Sequence, residues 1–212
     1  MLILLKNGKE ELIMGQRLVI TIEKNEKELC KLYYHWSAYT LSALYETKKV
    51  IDCIYNHKEE TEKEMLLRLI RFCENNGGCI DGGRNSAEGK YIQSLYPNEV
   101  FQETGNRSEG LIALSDEGMA DMQRISEGDV YINLDDDTVD FCVYSGYEDI
   151  EEYIEERKSW DDEFEGITLA DIPKVDCELG FFNVEDIDSI LAALDNEPYV
   201  VICGNEICEL IC

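Results

Sequence analysis

Carboxylates are the most abundant reactive side chains of this chain, and they are concentrated between residues 127 and 165. This segment holds 16 Asp and Glu residues and only two basic ones, Arg157 and Lys158. DNA carries a phosphate charge every few ångströms along its axis, and a folded array of carboxylates at comparable spacing can occupy a basic channel built for nucleic acid. We therefore predict that this segment binds a basic protein surface by mimicking nucleic acid.

The carboxylates expected to contact such a partner lie at a predicted hairpin tip, on a predicted helix and in the connection after it. They are Asp135, Asp136, Asp137, Glu148, Asp149, Glu151, Glu152, Glu155, Glu156, Asp161, Asp162 and Glu163. The alternative is that these side chains form a solvated face that only keeps the protein soluble.

A smaller group of the same carboxylates could bind a metal ion. Asp135–Asp137 and Asp140 offer the oxygen ligands that Ca²⁺ and Mg²⁺ prefer. The group lacks the alternating Asp residues, the glycine and the distal Glu of an EF-hand loop. We therefore predict no metal site and no cofactor.

One pair of residues has the spacing of a thiol catalyst. Cys53 and His57 are four residues apart, so they would share a helix face, where an imidazole can lower the pKa of a thiol. No third residue is available to orient the histidine, and the C-terminal end of a helix disfavours a thiolate. We predict no catalytic residues; an enzyme that uses this pair or the carboxylates remains an alternative.

Two other features could hold a small ligand. Residues 76–90 contain two glycine pairs, and Arg84 and Lys90 could supply charge to a phosphate there. The segment lacks the Walker ending and the Rossmann spacing, so a flexible connection is expected. His35 and Trp36 end an aromatic run that could stack on a nucleotide-like ligand, although such a run is typical of a core strand.

Hairpins and amphipathic helices are predicted to carry these residues. Turns between paired strands are predicted at Asn7-Gly8, the polar residues 24–27, Asp135–Asp137 and Gly204-Asn205. Apolar residues at helical spacing predict helices in residues 37–55, 61–74, 116–126, 147–159 and 183–194, with a capping box at Thr61 and Glu64 and N-caps at Ser115 and Asn183. We predict an α+β fold in which small antiparallel sheets and hairpins pack with four to five helices.

Charge divides the chain into two unequal halves. Residues 1–106 contain 14 basic residues (Lys and Arg) and 16 acidic ones (Asp and Glu), whereas residues 107–212 contain 5 basic residues and 30 acidic ones. We therefore predict a near-neutral α+β lobe over 1–106 and a strongly acidic α+β lobe over 107–212. So localised a negative field makes nucleic acid an improbable direct partner and favours a basic protein.

The remaining composition predicts a cytoplasmic protein. The apolar start at residues 1–5 is too short for a signal peptide, and no window is apolar enough for a membrane span. We predict an inhibitor that occupies the basic groove of a nucleic-acid-handling protein such as a defence nuclease. Small acidic inhibitors of this class are typical of phages, as anti-CRISPR or anti-restriction proteins. The alternatives are a nucleotide-binding protein or sponge and an enzyme, and a homodimer is left open.

Overall fold

The computed structural model describes most of the chain and confirms the α+β class. The backbone is described for residues 3–6, 9–12, 17–35, 37–38, 40–142, 181–196, 200–203 and 206–209. Side chains are described for residues 17–35, 37–38, 42–142 and 182–192. The predicted helix over 147–159 lies outside the described residues.

Seven of the described strands form one mixed sheet, which is larger than the small sheets expected. Its strand order is β5-β6-β4-β3-β7-β8-β9, and two separate two-stranded hairpins accompany it. The strands are β1 (Ile3–Lys6), β2 (Lys9–Leu12), β3 (Leu18–Lys24), β4 (Lys27–Tyr34), β5 (Cys79–Ile80), β6 (Leu111–Ala113), β7 (Gly128–Asn133), β8 (Thr138–Cys142), β9 (Phe181–Asn183), β10 (Val200–Cys203) and β11 (Glu206–Glu209).

The sheet is not purely antiparallel, because β3 pairs in parallel with β7 and β5 in parallel with β6. Each of these parallel pairs joins a strand before residue 106 to a strand after it. The boundary at residue 106 therefore does not separate two sheets, and the two halves of unequal charge share one sheet. The strands of the hairpins β1–β2 and β10–β11 pair antiparallel as expected, with Val201 opposite Cys208.

Five α-helices are described, and two of them start at the cap that the sequence predicts. Thr61 and Glu64 form a reciprocal capping box at the start of α2, and the Ser115 hydroxyl accepts from the Gly118 amide at the start of α4. Asn183 precedes a 3₁₀ turn instead, and its side chain donates to Asp186 rather than accepting from a backbone amide. The helices are α1 (Thr40–Ile54), α2 (Glu62–Asn75), α3 (Ala87–Leu95), α4 (Asp116–Arg124) and α5 (Ile187–Asn196).

The glycine-rich stretch over 76–90 is not a plain flexible connection. It contains β5 and the start of α3, a helix that the glycine content concealed. A Cβ atom at Gly89 would collide with the carbonyl oxygens of Gly83 and Arg84, so the chain packs too closely there for any larger residue. The glycines therefore permit tight backbone packing.

The core lies on both faces of the sheet, in unequal amounts. One face carries the main core, in which Leu18, Ile20 and Ile22 of β3 pack with buried residues of α1, α2 and α5. The opposite face carries a smaller core around Val19 and Tyr33, packed against α4. Because side chains alternate along a strand, this second face also carries every other residue of β7 and β8.

Candidate functional site

The candidate site is the part of the second sheet face that lies beside α4, on strands β3, β4, β7 and β8. We call it the acidic sheet face and define it by Glu23, Glu28, Asp129, Tyr131 and Asp140. The strand registers place Glu23 opposite Glu28 and Tyr131 opposite Asp140. Asp140 is exposed, and Asp129 and Tyr131 are half-buried. Carboxylates thus surround one tyrosine on a solvent-accessible sheet surface.

Lys31 is the cation of this surface, and it is turned inward. Its side chain is buried, and its ammonium group donates to Thr21 Oγ1 and Gln123 Oε1, each at 2.9 Å. The same nitrogen lies 3.1 Å from Glu28 Oε2 and 5.9 Å from the centre of the Tyr131 ring. A buried charge must be paired, and this one is satisfied within the protein. Lys31 therefore offsets Glu28 without presenting positive charge to solvent.

The negative field of the acidic sheet face acts on Tyr131. Burial raises the pKa of its hydroxyl, and the neighbouring charges of Asp129 and Glu28 raise that pKa further. The neutral hydroxyl therefore persists at physiological pH. A half-buried tyrosine amid carboxylates combines an apolar surface with a hydrogen-bonding group, which is the residue type most often found at the centre of protein interfaces.

Glu23 and Glu28 form a like-charged pair across two strands, next to an irregularity in the register, and the ion pair of Glu28 with Lys31 offsets only part of their repulsion. We expect Glu23→Gln to raise the free energy of unfolding by about 0.5 kcal/mol, because it removes this repulsion and leaves the shape unchanged. Urea denaturation at low salt measures the change. Glu59→Gln, at an exposed glutamate of the α1–α2 connection, is the control and should have little effect. A Glu23→Gln protein no more stable than wild type would contradict the expectation.

The predicted hairpin tip exists, but its three aspartates differ in role. Asp137, with a positive φ of 54°, binds Lys58 through both carboxylate oxygens at 2.8 and 2.7 Å. Asp135 and Asp136 are exposed, and Asp135 accepts from the Glu26 amide in the neighbouring β3–β4 turn. Asp137 therefore connects the hairpin to the α1–α2 connection, whereas Asp135 and Asp136 extend the acidic surface beyond the sheet.

The other predicted partner-binding residues, and Trp36 of the aromatic run, lie outside the described residues. The carboxylates concerned are Glu148, Asp149, Glu151, Glu152, Glu155, Glu156, Asp161, Asp162 and Glu163. Sequence reasoning missed Glu23 and Glu28, because they lie in the half of the chain that is nearly neutral. The alternation of buried Val130 and Ile132 with Tyr131 was the available signal for the tyrosine.

The glycine-rich segment does not form a phosphate cradle. Arg84 pairs with Glu103, and Lys90 is exposed on α3. The amides of Asp81, Gly83 and two further loop residues donate to carbonyl oxygens of the protein, so they are already occupied. A phosphate-binding nest requires amides that point at the ligand. The structure therefore places Arg84 and Lys90 at no common site.

The Cys53 and His57 pair lacks the electrostatics of a thiol catalyst. Burial raises the pKa of Cys53 to about 11, so the thiol stays protonated at neutral pH. His57 Nδ1 lies 3.0 Å from Glu60 Oε1, and Glu60 also binds Arg68. Both groups line a wide groove between α1 and α2, of about 840 Å³. This environment suits ion pairing on the surface and provides no activated nucleophile.

Comparisons with known proteins do not identify the chain. No family, characterised protein or solved structure matches it. Within the described part of the chain, no helix is long and apolar enough to cross a bilayer, and no group of three or more His, Cys, Asp or Glu side chains has the arrangement of a metal site. The function must be inferred from the chain's own surface.

Proposed function

We propose that this protein binds, through the acidic sheet face and the adjoining turn at Asp135 and Asp136, to the basic nucleic-acid-binding surface of a partner protein and thereby inhibits it. The observation that carries the proposal is the arrangement of the acidic sheet face, in which like-charged Glu23 and Glu28 oppose each other beside Tyr131. A surface that opposes stable folding in this way is typical of a binding function.

The spacing of a sheet supports mimicry of a nucleic-acid backbone. Residues on one face recur about 7 Å apart along a strand and about 5 Å apart between strands, distances on the scale of neighbouring phosphates. Glu23, Asp129 and Asp140 lie on three consecutive strands of the order β3-β7-β8. A rigid sheet therefore presents its charges without the ordering that a flexible acidic tail would need on binding.

The charge of the second half supports a partner that normally binds nucleic acid. The second half of the chain, residues 107–212, contains 30 acidic side chains, which repel nucleic acid itself and attract a basic channel. The proposed partner is a cytoplasmic defence nuclease or a related basic enzyme, and the proposed class is a phage-type inhibitor, as in anti-CRISPR and anti-restriction proteins. The proposed inhibition is steric, because the carboxylates occupy the basic residues of the partner that would otherwise bind nucleic acid.

The test is a pull-down from bacterial lysate with the immobilised full chain, eluted by a salt gradient. We expect recovery of a basic nucleic-acid-binding enzyme that moderate salt releases, because screening weakens an association between charged surfaces. The enzyme's own DNA or RNA should displace it from the column. Recovery of no such protein, or of one that nucleic acid does not displace, would contradict mimicry.

A further inference from the structure

A second cleft of the molecule combines positive charge with an apolar floor. It has a volume of about 260 Å³ and lies between the C-terminal part of α4 and the ends of β4, β5 and β6. Leu111, Met122 and Ile125 give it an apolar floor, and its charged lining residues are Asp81, Arg107, Asp121 and Arg124. Small-ligand sites commonly have this composition, an apolar surface with a few converging polar groups.

Arg107 is the residue of this cleft that is available to an anion. Its guanidinium group lies over the Tyr33 ring, 5.1 Å from the ring centre. It forms no ion pair with a carboxylate among the described residues, whereas Arg124, the other arginine of the cleft, pairs with Asp121. One N–H group of Arg107 hydrogen-bonds to Tyr33, and the N–H groups that remain can bind a phosphate through two hydrogen bonds.

A histidine and a second arginine lie near the same tyrosine. The Tyr33 hydroxyl lies 2.7 Å from His35 Nδ1, and Arg17, which pairs with Glu127 at 3.1 Å, lies close enough to both residues to affect their pKa values. Burial lowers the pKa of His35, and the charges of Arg107 and Arg17 lower it further. Because Arg17 is paired with Glu127, Arg107 is the basic residue beside Tyr33 with which an anionic ligand would pair.

Asp81 provides the opposite chemistry within the cleft. Burial raises the pKa of its carboxyl group, while the charge of Arg107 lowers it. A half-buried carboxylate can accept hydrogen bonds from hydroxyl groups of a ligand, and this satisfies a group that burial has partly desolvated. The cleft therefore offers both a cation for a phosphate and a carboxylate for a hydroxyl group.

We propose that this cleft binds a small phosphorylated ligand with free hydroxyl groups, of the sugar-phosphate or nucleoside-monophosphate class, with its phosphate on Arg107 and a hydroxyl on Asp81. The apolar floor formed by Leu111, Met122 and Ile125 accommodates the carbon skeleton. This small-molecule site lies on the other side of α4 from the groove beside Glu28 and Lys31. Arg124 of α4 lines both, but none of the residues that define the acidic sheet face lines the cleft.

The test is isothermal titration calorimetry of the full chain with ribose 5-phosphate, ribose and inorganic phosphate. We expect saturable binding of ribose 5-phosphate, weaker binding of phosphate and none of ribose. Arg107→Gln should weaken the binding of ribose 5-phosphate about tenfold, because it removes a charge-assisted pair of hydrogen bonds. Asp81→Asn should weaken the binding of ribose 5-phosphate. It should leave the binding of inorganic phosphate undiminished, because inorganic phosphate has no sugar hydroxyl to contact Asp81.

Arg84→Gln is the matched control, because Arg84 is a half-buried arginine of the same region that pairs with Glu103 outside the cleft. It should change the affinity for ribose 5-phosphate by less than about twofold. Absence of saturable binding of ribose 5-phosphate would overturn the proposal. The proposal would also fail if Arg107→Gln bound ribose 5-phosphate as tightly as wild type, or if Arg84→Gln lost as much affinity as Arg107→Gln. None of these outcomes depends on whether a protein partner is captured.

Discussion

Glu88→Ala should lower the free energy of unfolding by about 3 kcal/mol, because it leaves several polar groups unsatisfied. The Glu88 carboxylate is buried and accepts from the amides of Leu114 and Ser115, at 2.7 and 3.1 Å, and from the Ser115 hydroxyl. These groups lie where β6 leads into α4, so the negative charge also stabilises the N-terminal end of that helix. The midpoint and slope of urea denaturation measure the change.

Two variants separate the causes of this loss. Glu88→Gln keeps the size of the side chain and one accepting oxygen, so about half of the loss is expected. Glu117→Ala removes an exposed carboxylate from the first turn of α4, where only the interaction with the helix dipole is lost, and should change the stability by less than about 1 kcal/mol. A Glu88→Ala protein as stable as the Glu117→Ala protein would show that the buried carboxylate does not support α4.

Glu88 matters for function because α4 forms a wall of both candidate sites. Met122 of α4 and its C-cap residue Ile125 line the cleft that contains Arg107. Gln123 of α4 accepts a hydrogen bond from Lys31 and donates one to Asp129 of the acidic sheet face. A loosened α4 should therefore weaken both sites. A change at Glu23 or Asp140 alone should not alter the cleft, because neither residue lines it.

Local signals in the sequence predicted the features whose hydrogen bonds join residues only a few positions apart. The capping box at Thr61 and Glu64 and the cap at Ser115 fall in this group, because each is formed by neighbours in the chain. The parallel pairing of β3 with β7 could not be predicted, because no periodicity within one strand specifies a partner so distant in sequence. The burial of Glu88 could not be predicted for the same reason, since its hydrogen-bonding partners, Leu114 and Ser115, lie much later in the chain.

The site was predictable in part, and for similar reasons. The run of acidic residues identified Asp135 and Asp136, which are exposed as expected. It also included Asp137, whose carboxylate binds Lys58, a residue that only the fold brings near. Glu23 was missed because its half of the chain is almost neutral, although the sheet carries it to the side of β7. Net charge by segment cannot detect a surface that strands from both halves build together.

Reversal of charge on the acidic surface should reduce the affinity for the captured partner about 100-fold, since like charges would then meet across the interface. The variant combines Glu23→Lys, Asp136→Lys and Asp140→Lys. The association rate should fall with the affinity, because steering by the field is lost. Surface plasmon resonance over a range of salt concentrations measures both, and the dependence of affinity on salt should become shallower.

The matched control carries the same change in net charge at exposed glutamates elsewhere, combining Glu59→Lys, Glu109→Lys and Glu185→Lys. These three lack the ion pairs that make Glu60 structural, so the fold should tolerate their reversal. We expect the control to lose affinity by less than about fivefold, because only the long-range field changes and salt screens it. Equal losses in the two variants would mean that net charge alone attracts the partner. A localised loss would instead establish that the partner binds the sheet surface itself.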